Sequence, residues 1–380
     1  MTIMLQEYPY IDRVLEQALE NGSTPGIALL VIKNQDCVYR KAFGHAQIYP
    51  ERRPLSVETL FDIASLTKVI ASTTAIMLLI QDQKISLDDP LTKFLPEFPC
   101  EQISLRQVLT HCAGFTAHLP FYEYVQEAAQ EQGEELDDFI GSSEAKNLLI
   151  RLICQTDLLY TPGTFTKYSD LGFLLLGQVI ENISGAPLDR FCDDAIFGPL
   201  GMKNTFYQAL HGNRRTGDFA ATEFCDWRRR VICGEVHDEN ACIMGGVAGH
   251  AGLFSTLDDL QRFMLRLIAC WHGQDEFIRQ EIVTTFFRRQ DLVKDSTRAL
   301  GWDTPSRNMR EKASGGTLIA ETSIGHTGFT GTSIWFDPTR DITIVLLANR
   351  IHPSRHNTTF LKMRPRIHDT VVIALDKQGK

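Results

Sequence analysis

The chain has 380 residues, 43% hydrophobic and 22% charged, with a formal charge of −9. That is longer than one core usually fills, so two domains or one domain with a large insertion are expected. The balance excludes general disorder, and the acidic surface gives no electrostatic reason to bind nucleic acid. The basic run at 226–234, "DWRRRVICG", is short and reads as a solvated loop.

The opening "MTIMLQEYPYIDRVLEQALENGSTPG" shows no basic region, apolar stretch or small-residue cleavage site, so no export signal is expected. From Tyr10 it predicts an amphipathic helix with Ile11, Val14, Leu15 and Leu19 on one face, ended by Asn21 and Gly22. No run reaches the roughly 18 apolar residues of a membrane span. The nine cysteines show no paired spacing, which fits free thiols in a reducing cytoplasm.

Residues 26–33 and 37–45 predict a hairpin turning at 34–36. Helical patterns then dominate from Ser65 to about Leu200. "SLTKVIASTTAIMLLIQDQK" becomes apolar almost all round, as a buried helix does. Ser104 is a candidate N-cap for "SLRQVLTHCAGF". The acidic stretch at 121–145 predicts a surface helical excursion, and "YSDLGFLLLGQVIENISGAPLDRFCDD" predicts two helices split at Ser184 and Gly185. A loop-rich stretch at 207–254 ends in "MGGVAGHAGLFS", whose glycines let backbone approach a cleft. "STLDDLQRFMLRLIA" is a capped amphipathic helix. Strands return at 331–336 and 341–350 about a turn at Asp337 and Pro338, and a last helix starts near Leu361.

Strands at both ends and helices between them give the expected fold. It is α/β of the α+β kind: an antiparallel sheet built from both chain ends, flanked by helices, with a mostly helical domain inserted. The expected bounds are 1–84 with 250–380 for the sheet domain and 85–249 for the insertion. The active site then falls in the cleft between them.

"FDIASLTKVI" places Ser65 one turn before Lys68, at the start of that buried helix. Residues three apart share a helix face. Unpaired N–H groups and the helix dipole at such a start favour negative charge on a serine oxygen. A desolvated lysine can lose its proton and serve as a base. The plain alternative is an N-cap serine followed by a solvated lysine. Further along, "TPGTFTKYSDLGF" sets Tyr168 and Asp170 in a turn before a helix. "IGHTGFTGTSIWF" carries His326, Thr327 and Gly328 into a strand. In order, spacing and context these three segments resemble the S-x-x-K, Y-x-N and K-T-G elements of the serine β-lactamase and penicillin-binding-protein superfamily. The likeness runs from about Gly26 to Ile351 and is strongest to class C β-lactamases, family VIII carboxylesterases and D,D-peptidase-like proteins of the penicillin-binding protein 4B type.

The resemblance implies a β-lactamase/transpeptidase-like fold and an acyl-enzyme at Ser65, with Lys68 as neighbouring base. It makes Tyr168 the general base for attack and the general acid for the leaving group, its phenol pKa lowered by Lys68. The oxyanion hole would be the N–H groups of Ser65 and Phe329. Asp170, His326, Thr327, Gly328 and Asn349 would bind substrate, and no metal or cofactor is required. The chain departs from the patterns twice. His326 stands where lysine is usual, and Asp170 where asparagine is usual; both changes weaken attraction for an anionic amide substrate. The expected reaction is therefore hydrolysis of small or medium carboxylic esters. The alternatives are a D,D-carboxypeptidase, a D-aminopeptidase or a weak β-lactamase. A non-catalytic penicillin-recognising scaffold is a further alternative, opposed by the intact Ser65, Lys68 and Tyr168. The expected partner is a small ester or amide, without nucleic acid or membrane.

Four other features have two readings each. His237, Asp238 and His250 suggest a metal site by residue type, but their spacing fits no metal motif. His111 and Cys112 suggest a cysteine nucleophile by type, but at an apolar helix end they read as core. Arg350 follows Asn349 where relatives sometimes recognise substrate carboxylates, or it forms a surface ion pair. Trp302 packs the sheet rather than lining the cleft.

Overall fold

The computed structural model describes residues 8–211, 214–306 and 314–378. The helix Pro9–Glu20 leads into a hairpin of Gly26–Lys33 and Asp36–Gln47. Asn34 and Gln35 take φ of 49° and 69°, the pair of positive values that a two-residue turn between twisted strands needs. Across the six-stranded sheet the order is Arg53–Pro54, Asp36–Gln47, Gly26–Lys33, Ile342–Ala348, Ser333–Asp337, Ile324–Thr327. Neighbours are antiparallel, and the two chain ends meet where Leu30 opposes Val345. The sheet is thus closed by the first and last thirds of the sequence, as expected.

Strand alternation assigns the two faces of Gly26–Lys33. Ile27, Leu29 and Val31 pack against Ile11, Val14 and Leu15 of the first helix and Met363, Ile367 and Val371 of the last, Phe360–Gln378. Ala28, Leu30 and Ile32 face the main core, which runs on through Val69 and Ile76 to Leu149, Leu174 and Phe263. That core continues across both expected domain bounds, so the apolar packing itself marks no division at 85 or 249. The acidic stretch is more deeply seated than its composition suggests. It forms Phe121–Gln132, Leu136–Phe139 and the start of Ser143–Gln155, with Phe121, Val125, Ala129 and Phe139 buried. Among the described residues, no single helix is long and apolar enough to cross a membrane.

Three local structures position the site. The strand Phe61–Asp62 ends in a turn where Ala64 takes a φ of 47°, so Ser65 precedes the helix rather than lying within it. The helix widens to a π-helical stretch over Lys68–Thr73 before becoming regular at Thr74–Gln81. There the Thr74 hydroxyl donates to the Val69 carbonyl at 2.9 Å, and such widening is common at functional sites. The second structure is the buried helix Leu171–Ser184, which Asp170 precedes and Gly185, with φ of 70°, ends. The third is the turn after Ile324–Thr327, which carries Gly328 and Phe329.

Candidate active site

Ser65, Tyr168, Asp170, His326 and Phe329 line one cleft of about 700 Å³. Lys68 lies behind Ser65, fully buried. Its Nζ has three partners: Ser65 Oγ at 3.0 Å, Asp170 Oδ1 at 2.7 Å and the His250 carbonyl at 3.0 Å. Burial, the strongest influence, opposes charge on Lys68, but Asp170 and then Tyr168 outweigh it, and its pKa is raised. The same pairing holds Asp170 below the usual carboxylate range, again against burial. Lys68 is therefore an ammonium with each hydrogen placed, and it donates to Ser65 Oγ. In this arrangement Lys68 donates to Ser65 Oγ, whereas the resemblance makes it the neighbouring base.

Tyr168 differs from the lowered phenol that the resemblance implies. Burial raises its pKa, and the opposing pull of Lys68 does not overcome that. The resting pair is a phenol and an ammonium, with Lys68 Nζ 5.1 Å from the ring centroid. The Tyr168 hydroxyl is buried and interacts with Lys68 and Ser65, without a hydrogen bond of full geometry to either. A ring of cations and imidazoles surrounds it. His111 lies 4.6 Å away between centroids, His326 5.8 Å, and the Arg298 guanidinium 5.4 Å from the Tyr168 ring.

His326 Nδ1 lies 2.9 Å from the Thr327 carbonyl, which can only accept. Nδ1 thus carries the proton and the buried Nε2 carries the lone pair. Burial, then Lys68 and Arg298, push His326 down to about 3, so it is neutral. His111 accepts from the Ser169 N–H through Nδ1 at 3.2 Å. It is buried as expected of a core residue, but it also backs the Tyr168 ring. His118 was not marked in the sequence. Its Nδ1 is 3.8 Å from Asp170 Oδ2, and that contact raises its pKa.

The oxyanion positions are set by a tie between two turns. The Thr330 hydroxyl donates to the Asp62 carbonyl at 2.8 Å, and the Thr332 hydroxyl donates to the Ile63 carbonyl at 3.0 Å. Asp62 is buried, and its carboxylate accepts from the N–H groups of Ala64 at 2.8 Å and His237 at 2.7 Å. Together these bonds fix the turn holding Ser65 against the one holding Phe329. Among the described residues, neither the Ser65 nor the Phe329 N–H has an intramolecular acceptor. Gly328 has no room for a side chain: a Cβ would strike the Thr332 hydroxyl and the Ile63 carbonyl. Neither Asp62 nor the threonines could be found by motif, because their work is done through backbone atoms.

His237, Asp238 and His250 are split among different tasks. His250 Nε2 is 2.9 Å from Asp238 Oδ1, while His237 Nε2 is 2.9 Å from Glu223 Oε1 and its ring stacks on Phe329. Glu223, Cys225 and Glu239 do converge, but the Arg355 guanidinium bonds both carboxylates. Trp302 is buried beside Phe287. Asn349 is not at the cleft. Its Oδ1 accepts from the Gly26 N–H at 2.9 Å and its Nδ2 donates to the Ala46 carbonyl at 2.9 Å, so its amide joins strands and cannot reach substrate. Arg350 is buried at the cleft wall rather than forming a surface ion pair.

A serine backed by an ammonium, a phenol and two free N–H groups, between an antiparallel sheet and a helical wall, fits the serine-hydrolase scaffold of the β-lactamase superfamily. The chain belongs to the β-lactamase family, whose pattern it matches over residues 11–364. It is 33% identical over 373 residues to an Escherichia coli K12 protein named "Putative D-alanyl-D-alanine carboxypeptidase", covering 90% of this chain and 82% of that one. A Salmonella agona protein of the same name is 33% identical over 378 residues, 91% and 83% of the two chains. Among solved structures, the octameric penicillin-binding protein homologue from Pyrococcus abyssi superposes with a TM-score of 0.69 at 21% identity, covering 94% of this chain and 76% of that one. EstCE1, a hydrolase with promiscuous acyltransferase activity, gives 0.67 at 22%, covering 95% and 98%. These two likenesses support the fold.

Proposed function

We propose that the chain hydrolyses carboxylic esters of small or medium acyl chains through an acyl-enzyme at Ser65. The observation that carries this reading is Ser65 Oγ held at 3.0 Å by the Lys68 ammonium, in a cleft where two N–H groups await an oxyanion. Ser65 Oγ attacks the carbonyl carbon and its proton passes to Tyr168. Tyr168 gives its own proton to the leaving oxygen, so a free phenolate is never needed. Lys68 steadies the negative charge that develops on Ser65 Oγ. Water then attacks the acyl-enzyme by the same relay in reverse and releases the acid.

Esters are favoured over amides because their leaving oxygen asks less of the acid. Asp170, engaged by Lys68, offers no donor to a substrate amide. A second reading, a D,D-carboxypeptidase, draws on the names of the 33% identical relatives. Ser65→Ala should lower kcat on p-nitrophenyl butyrate by roughly 10³-fold or more. A fluorophosphonate should tag the peptide containing Ser65. Labelling elsewhere, with activity surviving the substitution, defeats the assignment. Faster turnover of a D-Ala-D-Ala peptide than of the ester would favour the second reading.

A further inference from the structure

Phe329 offers its N–H to the oxyanion, yet its side chain is 47% exposed and lines the cleft. A turn with so exposed a side chain needs something besides core packing to fix its place. Two groups meet the ring. The Arg350 guanidinium lies 4.7 Å from its centroid, but the Arg350 N–H is bonded to Thr330 of the same turn. The His237 imidazole stacks on the ring at 5.6 Å between centroids and 21° between planes. His237 is bonded to the turn of Ser65 instead. Its N–H donates to Asp62 Oδ2 at 2.7 Å, while Asp62 Oδ1 accepts from the N–H of Ala64, next to Ser65.

The imidazole is itself held by a carboxylate, since Nε2 lies 2.9 Å from Glu223 Oε1. Glu223 is only 3% exposed, and His237 and Arg355 hold it down to about 2 against burial, the largest influence on it. An ionised carboxylate only accepts, so Nε2 carries the proton. Arg355 completes the carboxylate, donating from Nε to Oε1 at 2.7 Å and from its N–H to Oε2 at 3.0 Å. Burying a carboxylate is costly unless it is paired, and simple packing on Phe329 would need no more than an apolar side chain. A carboxylate bonded to one imidazole nitrogen fixes the tautomer and the plane of the ring. We propose that His237 is a positioning residue for the oxyanion hole. Anchored to Asp62 by its N–H and to Glu223 by its ring, it holds the Phe329 N–H in register with that of Ser65. Glu223 acts through His237 and is felt in the same quantities.

This inference rests on Ser65 as nucleophile, so its test includes a readout that needs no turnover. In His237→Ala, kcat on p-nitrophenyl butyrate should fall about tenfold to a hundredfold, with KM changed less. The inhibition constant of butylboronic acid, whose tetrahedral adduct on Ser65 sets an oxygen in the oxyanion hole, should rise by a similar factor. Labelling of Ser65 by a fluorophosphonate, which needs no ester turnover, should slow alike. His237→Phe keeps a stacked ring without the bond to Glu223 and should recover part of each loss. Glu223→Gln keeps the shape and an acceptor and should lose less than His237→Ala. A lowered melting temperature in His237→Ala, with kcat, boronate affinity and labelling of the folded protein at wild-type values, overturns the proposal. So does a His237→Phe variant no better than His237→Ala. Should His237→Ala not fold, Glu223→Gln decides: its kcat and boronate affinity fall together, or the proposal fails. Wild type that is labelled at Ser65 but turns over no ester defeats the ester reading instead, and the labelling rates still decide the role of His237.

Discussion

A buried lysine beside a serine nucleophile can be a base or a fixed charge, and its neighbours decide which. Asparagine, usual at position 170 in the resembled motif, would leave burial free to neutralise Lys68; Asp170 reverses the balance. The consequence is a pH signature. The raised pKa of Lys68 gives stability that is present below its unfolded value of about 10.4 and lost as pH rises through the folded value. The lowered pKa of Asp170 gives stability present above about 3.9 and lost as pH falls through its own folded value. Between about pH 5 and pH 9 the pair's contribution is flat. In Asp170→Asn the largest influence opposing burial is gone and only the weaker pull of Tyr168 remains; if burial then wins, the folded pKa of Lys68 falls below the unfolded one, and stability rises with pH as the amine loses its proton. The variant should be destabilised by about 3–5 kcal/mol at pH 6, as for a broken buried pair, and less at pH 9. Melting temperatures of both proteins at the two pH values check this. A constant gap would show that Lys68 stays charged without its partner. The sequence marks Lys68 and Asp170 individually, but not that the second converts the first.

At the scale of elements, the catalytic geometry depends on two turns meeting rather than on either alone. Hairpin, helices and returning strands were legible because each carries periodicity, a cap or a glycine stop. Ser104 caps its helix as read, with a reciprocal bond from Gln107 besides, and Gly185 ends Leu171–Ser184. The strand Ile324–Thr327 was legible only as an approach to a strand, since four residues give too little alternation to judge. The tie from Thr330 and Thr332 to Asp62 and Ile63 joins positions some 270 apart and ends on carbonyls, so no local pattern encodes it. Thr332→Val keeps the shape and removes the bond to Ile63, which leaves a buried carbonyl short of a donor. The expected stability loss is about 1–3 kcal/mol. With Phe329 no longer held in register, kcat on p-nitrophenyl butyrate should fall about tenfold to a hundredfold, with KM changed less. A matching fall in stability with kcat intact would detach the tie from the oxyanion position.

For the whole molecule, the decisive feature is that the chain ends build the sheet on which the cleft rests. The first and last helices share one face with Ile27, Leu29 and Val31, and the middle of the sequence packs on the other. That arrangement was readable from where strand patterns lie along the chain. The continuity of the main core was not, because apolar periodicity says which face is buried but not against what. Asn349 joins the two ends. At the finish of the last strand it accepts from the Gly26 N–H, where the first strand starts, and donates to the Ala46 carbonyl of the second. Asn349→Ala removes the partners of a buried N–H and a buried carbonyl at once, so a loss of about 2–4 kcal/mol is expected. Because the amide lies away from the cleft, kcat and KM of the folded fraction should hold at temperatures well below the new transition. Denaturant unfolding beside ester kinetics at 25 °C separates the two effects. A rise in KM with stability unchanged would return Asn349 to the substrate site that the strand-end position first suggested.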